Sequence, residues 1–405
     1  MTKADANRVG LAYLEEATYG AGGGSAAMYD VRFTSESFSQ ENSTVISQEL
    51  RDDRQVADLI RTDVKTGGGF NFEFSFGDAG TNPGFEDFFK RMIGSDADWS
   101  TQTTHMAGDA NIEVVIAAAG STITASTGTP FATVVIGDWI KTGNGSAANN
   151  GVFKVTARSD TVLTVEPTGV LADQTVGASA VDANYSVIEL SAVVNGTEPA
   201  TPFYFEREYG DLSNEFVGHY GQAISSGSLS VEPGSIITGA FEFLGQTAAS
   251  VTATEGDGSN VAATTTTVMN AVDNVDYIME GSVAYACTAY NQTVTPNLRP
   301  RMVIGTLGAE SMGQGTIGVT GGHTAFYEDK TLIDKHLDMT SSNLAIVFVD
   351  EDGNYYVFDY PHIRYSSGSR VGGGINQDVL AEMEWTAIRE STEDITIRIA
   401  RYTAP

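Results

Sequence analysis

The chain has 405 residues, 41% of them hydrophobic, and 52 acidic against 22 basic side chains leave a formal charge of -30 at pH 7. That length holds two or three domains with full cores, and no run approaches the ~20 apolar residues of a membrane-spanning helix. The acidity opposes the counterion release by which proteins grip nucleic acid, whereas a surface past which a polyanion slides would want this sign; a salt-adapted host would give the same excess.

Glu15 and Glu16 stand where a secretory signal needs an apolar centre, so no export is expected. Abundant Gly, Thr and Ser, few prolines and short alternating segments predict a mainly β protein. The stretch GGGFNFEFSFG (67–77) is the strongest of these segments. At a period of two, Phe70, Phe72, Phe74 and Phe76 share one face, and Asn71, Glu73 and Ser75 share the other. One face suits a core and the other water.

NPGFEDFFKRMIG (82–94) follows with Phe85, Phe88, Phe89 and Met92 at helical spacing, Pro83 near its start and Gly94 past its end. This helix is expected to clamp onto the Phe face of the preceding strand. Between about 110 and 195 the composition shifts to Ala, Val, Thr and Gly, which reads as an inserted small β-barrel or sandwich with three strands across 133–167 and a fourth near Tyr185–Leu190. The domains expected are therefore 1–109, the insertion 110–195, and 196–405. ITGAFEFLG (237–245) repeats the pattern of the opening strand, with Phe241 and Phe243 on one face and Thr238 and Glu242 on the other. The two segments read as copies of one duplicated β module. The Thr-rich stretch 252–267 reads as a mobile or extended surface segment, and 323–338, with Phe326, Leu332, Ile333 and Leu337, as a second helix.

No catalytic constellation emerges. The histidines (His105, His219, His323, His336, His362) are scattered and match no local zinc spacing. There is neither a phosphate-cradling loop nor a nucleophile elbow. Cys287, among Ala284, Tyr285, Ala286 and Ala289, reads as a small buried apolar residue. Asp350, Asp352 and Asn354 are spaced as in a calcium loop, but the terminal Glu is missing, and Asp352-Gly353 between two strand-like runs predicts a hairpin turn. No cofactor or metal is expected. A β-sandwich adhesin binding sugars is a rival reading, opposed by the missing signal. A glycosidase with two distant carboxylates is another, opposed by a total of three tryptophans, Trp99, Trp139 and Trp385.

Several segments together resemble the tail tube proteins of long flexible-tailed bacteriophages: NRVGLAYLEEATYG, the run 31–77 with QELRDDRQVADLIRT (48–62) at its centre, LSVEPGSIITGAFEFLG (229–245), and the ending 355–390. The inserted 137–165 looks like the small β module many phage tail proteins carry. The resemblance implies a non-enzymatic β-sandwich with a flanking helix, assembling in the host cytoplasm into rings, commonly hexameric, that stack into the hollow tube of a virion tail. Inner strands of neighbouring subunits would join round the lumen, which also removes exposed sheet edges. Partners would be other copies of the chain, the tape-measure protein and genomic DNA in the lumen, and tail terminator and distal tail proteins, with no membrane. On this reading Asn71, Glu73, Ser75, Thr238 and Glu242 face the lumen. Residues 41–65, too long and charged for a tight turn, form an extended arm whose Glu49, Arg51, Asp52, Asp53, Arg54, Asp58 and Arg61 meet the next ring, and 110–195 decorates the exterior.

Overall fold

A computed structural model describes residues 3–53, 55–77, 81–95, 97–107, 114–144, 146–176, 185–197, 201–372 and 374–404. The chain is mainly β, as expected. Its spine is an antiparallel sheet running, in spatial order, Ser39–Ile46, Leu59–Glu73, Thr238–Gly245, the second half of Phe216–Val231, Ala289–Thr295, Gly318–Phe326, Leu380–Ala387 and the second half of Tyr355–Val371. Strand alternation sends Phe70, Phe72, Phe241, Phe243, Leu229, Tyr290 and Trp385 into one core.

The two long strands belong to two layers. The first half of Phe216–Val231 pairs with Phe203–Tyr209 and Thr247–Val251, and the first half of Tyr355–Val371 pairs with Ser342–Val349 and Arg398–Tyr402. Register shifts at Ile224/Ser226 and at Tyr365/Ser367 mark the change of layer, since a bulge bends its strand and increases its twist. The flanking sheets then lie over the spine, with Phe203, Phe205, Ile346, Phe348 and Phe358 filling the space between. The result is a sandwich.

The duplication is real, but its copies are not the pair predicted. Strands 67–77 and 237–245 are hydrogen-bonded neighbours, with Phe70 opposite Phe241 and Glu73 opposite Thr238. They look alike because adjacent strands of one half-buried sheet share the same two environments. The true copies are offset by 253 residues before the inserted module (Gly69 to Gly322) and by 141 after it (Ser226 to Ser367). Ser225-Ser226-Gly227-Ser228 recurs as Ser366-Ser367-Gly368-Ser369, each quartet beside its bulge, with Ser226 opposite Glu242 and Ser367 opposite Glu384. From there Glu242 lies opposite Gly69 and Glu384 opposite Gly322. Leu59–Glu73 thus corresponds to Gly318–Phe326, and 35–46 to Ala289–Thr295.

The helix after each of these strands repeats as well. The first spans Glu86–Met92, shorter than 82–94 because Pro83 and Gly84 (φ +60°) form the preceding turn. It clamps the Phe strand as expected, with the ring centroids of Phe72 and Phe85 4.2 Å apart and those of Phe70 and Phe88 5.4 Å apart. The second spans only Thr331–Leu337. His323–Phe326 completes a strand instead, because His323 and Ala325 fill the core slots that Phe70 and Phe72 fill in the first copy; burial at a period of two outweighs the helical spacing.

Thr103–Ala107 through Ser186–Glu189 supply a separate eight-stranded antiparallel sheet around Ile123, Ile140, Val155, Leu163 and Val187. The strands expected within 133–167 are Trp139–Gly143, Gly151–Arg158 and Val162–Glu166. The Thr-rich stretch is extended rather than loose: Val261 N–H donates to Met28 C=O at 2.8 Å and Thr266 Oγ1 to Phe76 C=O at 2.6 Å. It covers Phe76. Asp352-Gly353 is a hairpin turn, with Asp350 Oδ1 accepting from the Asp352 and Asn354 amides.

Candidate functional site

The spine sheet has a core side and a polar side. On the polar side, Glu73 lies opposite Thr238, Asn71 opposite Ala240, and Glu242 is flanked by Ser226. The row continues through Ser228, Thr293, Thr320 and Thr386 and ends on Glu382 and Glu384. Asn71, Thr238, Glu242, Glu382 and Glu384 are exposed and Glu73 is half-buried. The structure therefore brings four of the five expected residues onto one surface. Ser75 is the exception: it is 2% exposed. The strand ends at Glu73, after which Phe74 N–H bonds Ile237 C=O, Met269 N–H bonds Phe74 C=O, and Ser75 bridges Val268. The chain has left the polar face and is covered. Glu382 and Glu384 were missed, although LAEMEWTA carries the same alternation as FNFEF.

Behind the polar face the layers are ordered. The spine sheet, the aromatic core, and the flanking sheet of the second copy are followed by an apolar seam in which Trp139 and Val152 of the inserted module meet Met279, Val347, Val357 and Ala400. The module thus sits on the side of the sandwich opposite the polar face. The seam holds one buried ionic cluster. Asp359 is fully buried, with Lys154 Nζ at 2.9 Å, Arg398 Nη1 at 3.4 Å and Trp139 Nε1 donating at 3.1 Å. Asp138, pushed up to about 6 chiefly by burial, lies 3.3 Å from Arg398.

The arm is a hairpin of Ser39–Ile46 against the first half of Leu59–Glu73, with residues 47–58 as its tip. Arg51 is engaged by Asp53 in a two-point pair at 2.9 and 3.1 Å, Asp58 Oδ1 accepts the Leu59 amide, and Glu49, Asp52 and Arg61 are exposed. Arg54 lies outside the described residues. Sequence reasoning saw the charges and missed the apolar surface between them. Val45 lies opposite Ile60 and Ile46 opposite Leu59, so both faces of the hairpin carry large exposed side chains; Val56 is 68% and Leu50 99% exposed. The hairpin therefore presents an exposed apolar surface among its charges.

Among the described residues no three His, Cys, Asp or Glu side chains are grouped to hold a metal, and no helix is long and apolar enough to cross a membrane. Cys287 is half-buried, its thiol pushed up to about 11 by desolvation. His323 sits in the core beside Tyr285 and Tyr365, with no protein partner for either ring nitrogen among the described residues. Burial lowers its pKa to about 4. An imidazole kept neutral in the fold contributes stability that is present above its unfolded pKa near 6.5 and is lost as pH falls toward the folded value. Asp138, raised by burial to about 6, acts in the opposite sense over an overlapping pH range, but equally in any His323 variant. His323→Phe, which copies Phe70, is therefore expected to gain about 2 kcal/mol over the parent at pH 5 relative to their difference at pH 8. Denaturant melts at both pH values measure this, and an unchanged difference would refute it.

A search of curated proteins finds no match. A family model described as "Phage tail tube protein" matches residues 6–387, across both copies and the inserted module. Together with the mainly β sandwich, that match means the chain belongs to the phage tail tube protein family, whose members are structural, non-enzymatic proteins of the virion tail.

Proposed function

We propose that the chain closes into rings that stack into the hollow tail tube of a long flexible-tailed phage, with the polar face of the spine sheet lining the bore. The observation that carries this reading is the layering: Glu73, Glu242, Glu382 and Glu384 share one face of a continuous sheet, and the core and the inserted module lie behind it. Carboxylates on the wall repel passing phosphates and keep the barrier to sliding low. The tape-measure protein would occupy the channel before DNA does, and tail terminator and distal tail proteins would meet the tube ends. The sequence resemblance implies rings that are commonly hexameric; because each chain carries two copies of the sheet, six repeats round the bore would instead come from three chains. The module then projects outward, and the arm reaches the next ring, its apolar residues supplying affinity while Glu49, Arg51, Asp52, Asp53, Asp58 and Arg61 help set register.

Reversing charge on the polar face tests the wall assignment. Tubes carrying Glu242→Lys and Glu384→Lys are expected to retain duplex DNA in low salt and release it as salt rises, while parent tubes retain none. Equal retention by both would place these residues off the DNA path.

A further inference from the structure

The spine sheet has two unpaired edges. At one end, 364–371 of the second long strand pairs, among the described residues, only with Leu380–Ala387. At the other, the outer side of 35–46 meets no strand among the described residues. Seven strand spacings separate them, roughly 34 Å, so they cannot meet within one chain. The same two edges do meet inside the chain in their other copies. Where the first repeat joins the second, Gly227 lies opposite Val294, Ser228 opposite Thr293, Leu229 opposite Gln292 and Val231 opposite Tyr290. Resting on the ring reading above, we infer that the junction between chains copies this internal junction residue for residue.

The correspondence of the repeats sets the register. Gly368 of one chain faces Gln40 of the next, Ser369 faces Ser39, Arg370 faces Phe38, and Gly372 faces Glu36. The free edge is prepared for it. Ser37 N–H donates inward to Gly69 at 2.9 Å, so Phe38 turns its N–H and C=O outward. In the single chain these two groups are held by side chains: Glu36 Oε2 accepts from the amide at 3.0 Å and Arg207 Nη2 donates to the carbonyl at 2.7 Å. Glu36 and Arg207 are themselves paired. They cap an edge that would otherwise template aggregation, and the cap gives way when a second copy supplies strand 364–371. The charges agree, since Arg370 falls diagonally across from Glu36, within reach of a long side chain. Exposed Leu337 and Met339 flank the other edge, where His336 Nδ1 contacts Tyr365 C=O at 3.1 Å.

Ser39 and Ser369 would form a non-hydrogen-bonded pair, with a Cα separation near 4.5 Å that suits a disulfide. In a Cys287→Ser background, Ser39→Cys with Ser369→Cys is expected to give covalent multimers when assembled tubes are oxidised, reverting to single chains on reduction. Gln40→Cys with Ser369→Cys places the thiols on opposite faces and is expected to give none. Tubes that form in the first variant without cross-linking, or that link equally well through position 40, overturn this register and leave the tube reading standing. Protein that remains monomeric under all assembly conditions overturns both.

Discussion

Rings without tubes are the expected product of Ile46→Lys combined with Leu59→Glu. These residues face each other across the arm hairpin, and both are exposed in the single chain, so the fold loses little when they change. Opposite charges across the strands preserve the hairpin while removing the surface that docks. Burying each such side chain contributes about 1.5 to 3 kcal/mol, so the pair costs about 3 to 6 kcal/mol per contact, on the order of 10² to 10⁴ in association constant. Arg51→Glu is expected to matter much less, because an exposed pair such as Arg51 with Asp53 is worth at most ~1 kcal/mol, and its effect should fade in high salt. Sedimentation and negative-stain microscopy separate rings from tubes. Tubes of parental length from the double variant would remove the apolar arm from the stacking contact.

The second large effect is expected at Asp359. Truncation to alanine removes the fully buried carboxylate and leaves Lys154 and Arg398, both buried, to Glu393 at 3.6 and 2.8 Å, with Asp138 3.3 Å from Arg398, which holds the loss to the low end of the usual range. Breaking a buried ion pair from one side costs about 3 to 5 kcal/mol, and the urea midpoint should fall accordingly. A loss below about 1 kcal/mol would mean that water enters the seam freely. The same cluster bears on removing the module. Excising 103–189 uncovers Met279, Val347 and Val357 along with Asp359, so ring assembly should survive the deletion only when Asp359 and those apolar positions are recoded to polar ones. Failure of the recoded chain to form rings would make the module part of the wall.

Much of this was legible before any fold was known. The alternation in 67–77 located the core face, a helix within 82–94 and its partner strand followed from spacing, and the compositional shift at 110–195 pointed to a module whose sheet begins earlier, at Thr103. Four of the five expected bore residues share one surface because a period of two leaves them no other choice. Ser75 failed because a strand's end is decided by what covers it. His323–Phe326 failed because the slots it fills exist only once Leu380–Ala387 lies beside it. The apolar content of the arm was present in the sequence but masked by the charges between, since exposure cannot be told from burial without knowing what the hairpin leans on.

By itself, the order of side chains determined which residues share a face within a strand and roughly where the first helix and the inserted β segment lie, because these depend on chain geometry and on neighbours within a few positions. Which strands are copies and which are neighbours was decided only by the tertiary structure. Segments 67–77 and 237–245 look like repeats yet lie side by side, while 35–46 and Ala289–Thr295 look unalike and are equivalent. Pairing is a long-range event in which strands far apart in the chain compete for the same edges, and the winner is set by burying one common aromatic core. That competition also leaves two edges of the spine unpaired among the described residues.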